Sequence, residues 1–373
     1  MLGKRHRRTR VLVFPAVDDN PYLELMQQVP EEVGFEFLPS RLATLHADAK
    51  ALKAGDVFHL HWTQRITQWP TDEQAASASV AKFCQLVDEL KAKGVSIVWT
   101  VHNRLPHDLK YLEPELALSR FLAERADAVH VMSDQTAEIV ADLYELPADR
   151  TRVIPHPSYH GVYETTSNAS QVARARFGLD PRERTVLAFG RMRAYKGIDI
   201  LGDALSLVTD RGFAAPTLLL AGKALAREQA EIERHLPRSS RVISHFRYVE
   251  ATEIRDWFAA ADIAVFPFRS ILNSGSVHLS ATLGVPVILP GERHLRAQFA
   301  DEPWVRFFDE ADPVESLADL LQEPDLTDYS HSMAEFSRRI APRKISHQYA
   351  DLLSELTVPA RRRSRRSQRG SPT

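Results

Sequence analysis

The sequence predicts an α/β protein with two doubly wound parallel sheets, carried by two domains. Three observations predict this. Apolar runs of strand length alternate with helical patterns. The alternation weakens at a polar stretch near the middle and then begins again. The 373 residues are too many for one ordinary domain.

The first series of runs reads as strands at Arg10–Val17, Phe35–Leu38, Asp56–Trp62, Val95–Val101 and Ala128–Met132, with a sixth beginning at Arg152. They are rich in Val, Ile and Phe and continuous rather than alternating, as strands covered on both faces are. The segments between them carry helix punctuation. Thr71 followed by Gln74 is a capping-box pattern, and Gly94 stands where a helix should stop. Ser133 is placed to cap a helix over 134–146, with Pro147 beyond its end. Strand–helix alternation of this kind specifies a parallel sheet.

Residues 164–181 are polar and read as linker plus a short helix. The second series places strands at Thr185–Phe189, Thr217–Ala221, Val242–Phe246, Ile263–Pro267 and Val285–Leu289. Helices are expected over Ile198–Thr209, over Thr252–Ala260 with Thr252 as cap, and over Ser276–Leu283. The expected organisation is a first domain over 1–163, a linker over 164–181 and a second domain over 182–340. A helix over 341–358 returns toward the first domain, and a disordered basic tail covers 359–373.

Apolar residues make up 44% and charged residues 26%, the balance of an ordinary globular protein, so wholesale disorder is excluded. The single cysteine, Cys84, excludes an internal disulfide and a cysteine-rich metal site, and fits a reducing cytoplasm. No apolar run approaches the ~18 residues that span a bilayer. The basic start, Met1–Arg10, is followed by an apolar stretch only from Val11 to Val17 and by no small-residue cleavage site, so it reads as a buried strand rather than a signal peptide. Charge is unevenly spread. Five cations among the first ten residues and six arginines between Arg361 and Arg369 leave 11–359 with a net charge of −13, against −2 for the whole chain. Basic ends on an acidic body suit an anionic membrane surface as well as they suit solvated tails. Nucleic acid is not expected as a ligand, because no aromatic residues interleave with the arginines.

Two segments of the second half read as an anion site. In Val186–Gly197 a buried strand ends in Gly190, two cations (Arg191 and Lys196) follow, and a helix starts after Gly197. Ligands of open α/β sheets bind beyond the carboxyl ends of the strands, where cations meet a diphosphate through charge-assisted hydrogen bonds. In Phe266–Ser276 a strand runs into Asn273, Ser274, Gly275 and Ser276, small residues at the opening of the next helix. Helix starts offer unpaired N–H groups to an anion. The first segment has a basic surface loop as its alternative, and the second, taken alone, reads as an ordinary Ser/Asn cap; together they make a phosphate cradle.

With these segments, the second half resembles the nucleotide-binding domain of the GT-B glycosyltransferases near glycosyltransferase family 4. The resemblance rests on Gly190-Arg191…Lys196-Gly197, on Ala261–Pro267 and on Gly284-Val285-Pro286-Val287-Ile288. It implies two Rossmann-like domains facing across a cleft, the first of them on the acceptor side, donor-diphosphate contacts by Arg191 and Lys196, and a donor site formed by the segment before Gly284. The chain departs from that family at one place. Where many members carry two glutamates eight positions apart, it has Ile271 and Leu279. The Asn-Ser-Gly-Ser loop is similar to that of a subset of bacterial polysaccharide glycosyltransferases, which points to GDP-mannose or a like donor.

In the first half the fourth strand delivers Thr100–Asp108, with His102, His107 and Asp108 in one strand-end loop. Histidine is the side chain best poised for proton transfer near neutrality, and Asp108 is placed to orient it or to act as a base. The resemblance puts a histidine after this strand near the transferring sugar, which points to His102. His59 and His61 share a face of the third strand, without the spacing or cysteine partners of a metal site. The loop after the first strand holds Asp18 and Asp19; with Asp108 these are the candidate bases for deprotonating an acceptor hydroxyl. Pro155–Tyr163 reads as a rigid segment leading to the linker.

The expected function is hexosyl transfer from a nucleotide diphosphate sugar to a glycan or lipid-linked acceptor, with no metal and no other cofactor. It is placed in the cytoplasm, peripheral to the inner face of the membrane. A sugar-nucleotide epimerase or phosphorylase on the same architecture, and a non-catalytic nucleotide-sugar-binding protein, are the alternatives. A dinucleotide oxidoreductase is disfavoured because no G-x-G-x-x-G follows the first strand.

Overall fold

The computed structural model describes residues 7–17, 20–163, 168–236, 240–322 and 327–357. They form two compact units: the residues up to Pro157 together with those from Pro342 onward, and Ser158–Ala341. Among the described residues no helix is long and apolar enough to cross a membrane.

Unit 1 runs β1 (Thr9–Phe14), α1 (Pro21–Glu32), β2 (Phe35–Pro39), α2 (Leu45–Lys50), β3 (Val57–Leu60), α3 (Gln64–Thr67), α4 (Glu73–Ala92), β4 (Ser96–Thr100), α5 (Leu112–Arg125), β5 (Ala128–Val131), α6 (Thr136–Val140) and β6 (Thr151–Val153). Its six strands are all parallel, in the order β2-β1-β3-β4-β5-β6. The winding reverses between β1 and β3, so the segments leaving those two strands diverge around a crevice. Every residue of β3 and β5 is buried, the state that their unbroken apolar runs indicate.

The strand ends are shorter than the runs. β1 was expected to reach Val17 but stops at Phe14, because Pro15 has no N–H to give a ladder. Two helix expectations are corrected. The cap of α4 is Asp72, not Thr71: the Asp72 carboxylate accepts from the Ala75 N–H at 2.8 Å, and the Thr71 hydroxyl is spent on that same carboxylate. The helix expected over 134–146 is only α6, five residues long. Beyond it, Ala141 and Leu143 bond back three residues rather than four, which tightens and ends the turn.

Unit 2 runs α7 (Ala169–Arg176), β7 (Thr185–Phe189), α8 (Ile198–Asp210), β8 (Thr217–Ala221), α9 (Ala226–His235), β9 (Val242–His245), α10 (Ala251–Ala259), β10 (Ile263–Val265), α11 (Gly275–Thr282), β11 (Val287–Pro290), α12 (Arg293–Phe299), β12 (Val305–Phe308), α13 (Pro313–Gln322) and α14 (Ser330–Arg339). Its parallel order is β12-β11-β10-β7-β8-β9, with the reversal between β7 and β10. The cap expected at Thr252 lies inside α10, whose N-cap is Glu250. Residues 168–181, read from the sequence as linker and short helix, carry α7, which packs on α10. Arg174 of α7 is buried, and its guanidinium meets Asp262 at 2.5 Å. Asp262 also accepts from the Thr185 N–H at 2.8 Å and hydroxyl at 3.0 Å. This aspartate of the Ala261–Pro267 segment therefore joins the starts of β7 and β10 to α7, at the end of the sheet away from their carboxyl ends.

The chain returns to unit 1 as α15 (Pro342–Thr357), which packs on α1. Pro30 inside α1 lacks the N–H that would serve the Met26 carbonyl. The Ser346 hydroxyl donates to that carbonyl at 2.8 Å and accepts from the Val29 N–H at 2.9 Å. A serine of the last helix thus repairs a break in the first.

Candidate functional site

In unit 2 the two segments singled out from the sequence leave β7 and β10, the strands that flank the reversal of winding. Both are shaped by glycines that tolerate no side chain. At Gly190 the backbone turns with φ +109°, and Gly222 at the end of β8 lies so close that a Cβ there would sit 1.8 Å from the Gly190 carbonyl oxygen. Gly197 has φ +64°, and a Cβ on it would sit 1.9 Å from the Pro267 carbonyl oxygen. A 3-10 turn, Ala194–Lys196, lies between them. Arg269 fastens this turn to the second segment: its N–H donates to the Tyr195 carbonyl at 2.9 Å, and its guanidinium to the Ala194 carbonyl at 2.9 Å and to Asp199 at 2.8 Å.

Lys196 is buried by this arrangement, at 7% exposure. Its Nζ lies 4.6 Å from the ring centre of Phe268, 5.7 Å from that of Tyr195 and 5.8 Å from that of Phe266. Among the described residues no carboxylate stands within ion-pair distance of it. Burial alone brings the ammonium down to about 8, so it remains charged at neutrality with only ring faces to answer it. A Cβ placed on Gly190 would be 3.3 Å from Lys196 Nζ and 3.6 Å from Ser276 Oγ. Gly190, Lys196 and Ser276 therefore converge on one spot.

Ser276 is the second residue of α11. Ser274 is its N-cap but makes no side-chain cap bond, and no acidic residue occupies the first turn. The opening amides of a helix have no intrahelical acceptor, so this end offers positive charge beside Lys196. His278 steadies the start from within: it is buried, and its Nδ1–H donates to the Ser274 carbonyl at 2.9 Å. Of the other expected donor-binding residues, Asn273, Ser274 and Gly275 are half-buried along the same segment, and Arg191 is exposed just past Gly190.

In unit 1 a layer of histidines lies on one face of the sheet. His61 Nδ1 and His102 Nε2 are 3.0 Å apart, and Trp62 stacks on the His102 ring at 4.2 Å between centres. The ring of Tyr22, at the start of α1, is 5.5 Å from that of His102 and 5.1 Å from that of His156. Beneath them runs a hydrogen-bond chain of fixed direction. The Ile154 carbonyl can only accept, so His130 Nε2, at 2.8 Å, carries the proton and His130 Nδ1 accepts. Thr100, at 2.9 Å, must then donate to His130, and its oxygen accepts from His59 Nε2–H at 2.7 Å. His59 Nδ1 is left to accept from the Tyr349 hydroxyl of α15 at 2.7 Å. Burial is the first cause that depresses all of these imidazoles; repulsion by neighbouring imidazoles adds to it at His59, His61 and His102, whereas at His130 the bond to the Ile154 carbonyl partly opposes it, so that His61 falls to about 3 and His130 to about 4. They stand neutral, as donors and acceptors. A cavity of about 30 Å³, room for a single water, lies beside them, lined by His61, Trp62, His102, Glu115 and Tyr144 among others. Glu115 is buried too, pushed up by desolvation and held by Thr63, Thr67 and Gln68.

Of the candidate acids and bases, His102 lies at the centre of this cluster. Asp108 is on the exposed part of the same loop. Asp18 and Asp19 lie outside the described residues. Sequence reasoning missed His130, Thr100, Tyr22 and Tyr349. A histidine inside the buried run Ala128–Met132 was the available signal for the first; Tyr349 carried none, being 290 positions from its partner. Among the described residues no group of three or more His, Cys, Asp or Glu is placed to hold a metal ion.

Comparison with known proteins agrees with this architecture. The Glycosyltransferase Family 4 model matches residues 12–157, and the Glycosyl transferases group 1 model matches residues 183–322. A GDP-mannose:glycolipid 4-beta-D-mannosyltransferase of Xanthomonas campestris pv. campestris is 26% identical over 277 residues, covering 74% of this chain and 71% of the relative. A D-inositol 3-phosphate glycosyltransferase of Thermobispora bispora is 28% identical over 352 residues, covering 86% and 77%. The crystal structure of Anabaena HepE with UDP and glucose superposes with a TM-score of 0.69 at 16% identity, over 93% of this chain and all of that one. Two family matches, one for each parallel sheet, together with relatives and a fold of the same class, carry the conclusion: the chain is a GT-B glycosyltransferase of the family 4 type.

Proposed function

We propose that the protein transfers a hexose from a nucleotide diphosphate sugar, GDP-mannose before others, to a glycan or lipid-linked acceptor in the synthesis of cell-surface polysaccharide or glycolipid. The observation that carries the donor half of this reading is the convergence of Gly190, Lys196 and Ser276 at the start of α11. A buried cation without a carboxylate, beside a helix start without an acid, is built for an anion that arrives from outside. The name of the Xanthomonas campestris relative supports a sugar nucleotide as that anion and GDP-mannose as the first donor to test.

The chemistry follows from charge. When the bond from the anomeric carbon to the diphosphate oxygen breaks, its electron pair stays on the phosphate. Lys196, Arg191 and the amides opening α11 stabilise that growing charge, which is where preorganised dipoles act most strongly. Met by fixed cations and dipoles, the diphosphate needs no metal in this scheme. The acceptor is assigned to unit 1, with His102 as its functional imidazole and Asp19 or Asp108 as the group that takes the hydroxyl proton. The basic residues of the two ends are proposed to hold the enzyme at an anionic membrane where a lipid-linked acceptor resides.

The test is a thermal-shift screen of the full chain against UDP-, GDP- and ADP-sugars, followed by a transfer assay with and without acceptor. A ligand that binds only the folded state raises its melting point. GDP-mannose is expected to give the largest shift, and labelled sugar to appear in a glycolipid fraction. No shift with any sugar nucleotide would overturn the reading. Release of free or epimerised sugar without acceptor would replace transfer with phosphorylase or epimerase chemistry. Deletion of residues 360–373 is expected to weaken co-sedimentation with vesicles containing anionic lipid; unchanged binding would remove the membrane part alone.

A further inference from the structure

β11 lies directly beside β10, so the segments leaving their carboxyl ends are neighbours. The segment after β11 is only Gly291 and Glu292 before α12 begins. Glu292 occupies the N-cap position, yet its side chain makes no cap bond. Among the described residues its carboxyl has no hydrogen-bond donor and no Lys or Arg partner. His294 stands beside it with Nδ1 3.5 Å from Oε2, beyond a good hydrogen bond, and burial lowers that imidazole's basicity, so it brings no countercharge. The side chain is 22% exposed. Burial, with Glu310 second, pushes the carboxyl up to about 7. A group desolvated to that degree costs stability unless something supplies its missing donors.

His294 is fixed from the opposite side. The Ile271 carbonyl can only accept, so His294 Nε2, at 2.9 Å, carries the proton and donates. The ring is nearly buried, at 12% side-chain exposure, with its Nδ1 edge toward Glu292. With its proton on Nε2, His294 Nδ1 can only accept, so it holds Glu292 through a proton on the carboxyl; the ring sets Glu292 beside the segment after β10, the one that supplies Phe266 and Phe268 around Lys196 and leads on to Ser276.

A sugar nucleotide presents two kinds of polar group. Its phosphates are anions, which a carboxylate repels and which Lys196 and α11 suit. Its hexose and ribose carry hydroxyls, which are donors in need of acceptors. We propose that Glu292 is a donor-binding residue, its carboxyl accepting hydrogen bonds from sugar hydroxyls of the nucleotide gripped at Lys196, and that His294, anchored on the Ile271 carbonyl, is the positioning residue that aims it. This rests on the function proposed above and adds the group that recognises the sugar part of the donor.

The experiment is isothermal titration of the full-length wild type, Glu292→Gln, His294→Ala and the double variant with GDP-mannose, GDP and 2′,3′-dideoxy-GDP, with melting points as the control for folding. Hydrogen bonds to a charged group are worth roughly 10- to 100-fold in affinity. If Glu292 meets the hexose, Glu292→Gln loses that factor toward GDP-mannose and keeps its affinity for GDP. If it meets the ribose, both ligands lose it, and dideoxy-GDP binds wild type and variant alike. His294→Ala is expected to raise the KM for GDP-mannose with little change in kcat, and to add nothing on top of Glu292→Gln. A helix-bracing role would instead make the two losses add and would lower kcat too. Equal binding of all three ligands by wild type and Glu292→Gln overturns the proposal while leaving the function standing. A wild type that binds no sugar nucleotide overturns the function first, and this with it.

Discussion

Lys196→Met should stabilise the protein while disabling its donor site. Lys196 has 7% exposure, and burial lowers its ammonium from 10.5 to about 8. At about 1.4 kcal/mol per pH unit, a gap of that size corresponds to about 3 kcal/mol of cost for keeping the charge inside. The ring face of Phe268, 4.6 Å away, returns part of it, since a desolvated cation–π contact is worth about 0.5–2 kcal/mol. The expected gain for the uncharged, similarly sized methionine is therefore about 1–3 kcal/mol near pH 7. The pH dependence has a definite sign. The folded protein releases this proton near 8 and the unfolded chain near 10.5, so between those values the unfolded state binds more protons and wild-type stability rises with pH. Below pH 8 the penalty is complete.

Urea unfolding of both proteins at several values between pH 6.5 and 10, read on the transition of unit 2, measures the difference. The methionine variant should be more stable at the acid end, and its advantage should shrink through the window. A variant less stable than wild type at pH 7, or an advantage constant with pH, would refute the account of Lys196 as an uncompensated buried cation. The cost has a use: a diphosphate that supplies the missing countercharge recovers it on binding. Affinity for a nucleotide diphosphate should accordingly fall by about tenfold per unit once pH exceeds 8, and Lys196→Met should lose it at every pH.

Other perturbations act on the same two sites. Gly197→Ala must accommodate a Cβ 1.9 Å from the Pro267 carbonyl oxygen at φ +64°, so about 3 kcal/mol or more of stability should go, and donor binding with it; denaturation and titration read the two losses. Tyr349→Phe leaves His59 Nδ1 buried without a donor and should cost about 1–3 kcal/mol by urea unfolding of unit 1. ¹⁵N NMR should find His59 and His130 both protonated at Nε2, and an Nδ1–H form at either would break the inferred direction of the chain. Because His61 falls to about 3 and His130 to about 4, the unfolded chain takes up their protons first on acidification, and unit 1 should lose stability from about pH 6.5 downward. Transfer activity should persist in excess EDTA, and its abolition would require a metal that the proposed scheme does not use.

What could be read from the chain, and what could not, follows from how far each signal reaches. The strands were legible because burial on both faces demands unbroken apolar runs, and their ends were misjudged where proline intervened, as at Pro15, since hydropathy does not register a missing N–H. Gly190, Gly197 and the start of α11 were legible because a sharp turn, a cation and a helix opening are all local in sequence. The burial of Lys196 was not. Tyr195 is its neighbour in the chain, but the rings of Phe266 and Phe268 reach it only because β10 pairs with β7. Tyr349 was invisible for the same reason at longer range. Glu292 is the extreme case. The position where the family resemblance leads one to expect a carboxylate reads Ile271 here, and side-chain chemistry ends there. In three dimensions the Ile271 carbonyl is what His294 holds, and Glu292, on the short segment after the adjoining strand β11, lies beside that ring. Side chains leaving two strand ends can meet only if the two strands are neighbours, as β10 and β11 are. Strand order is a property of the whole sheet, so no window of sequence around position 271 could have shown it.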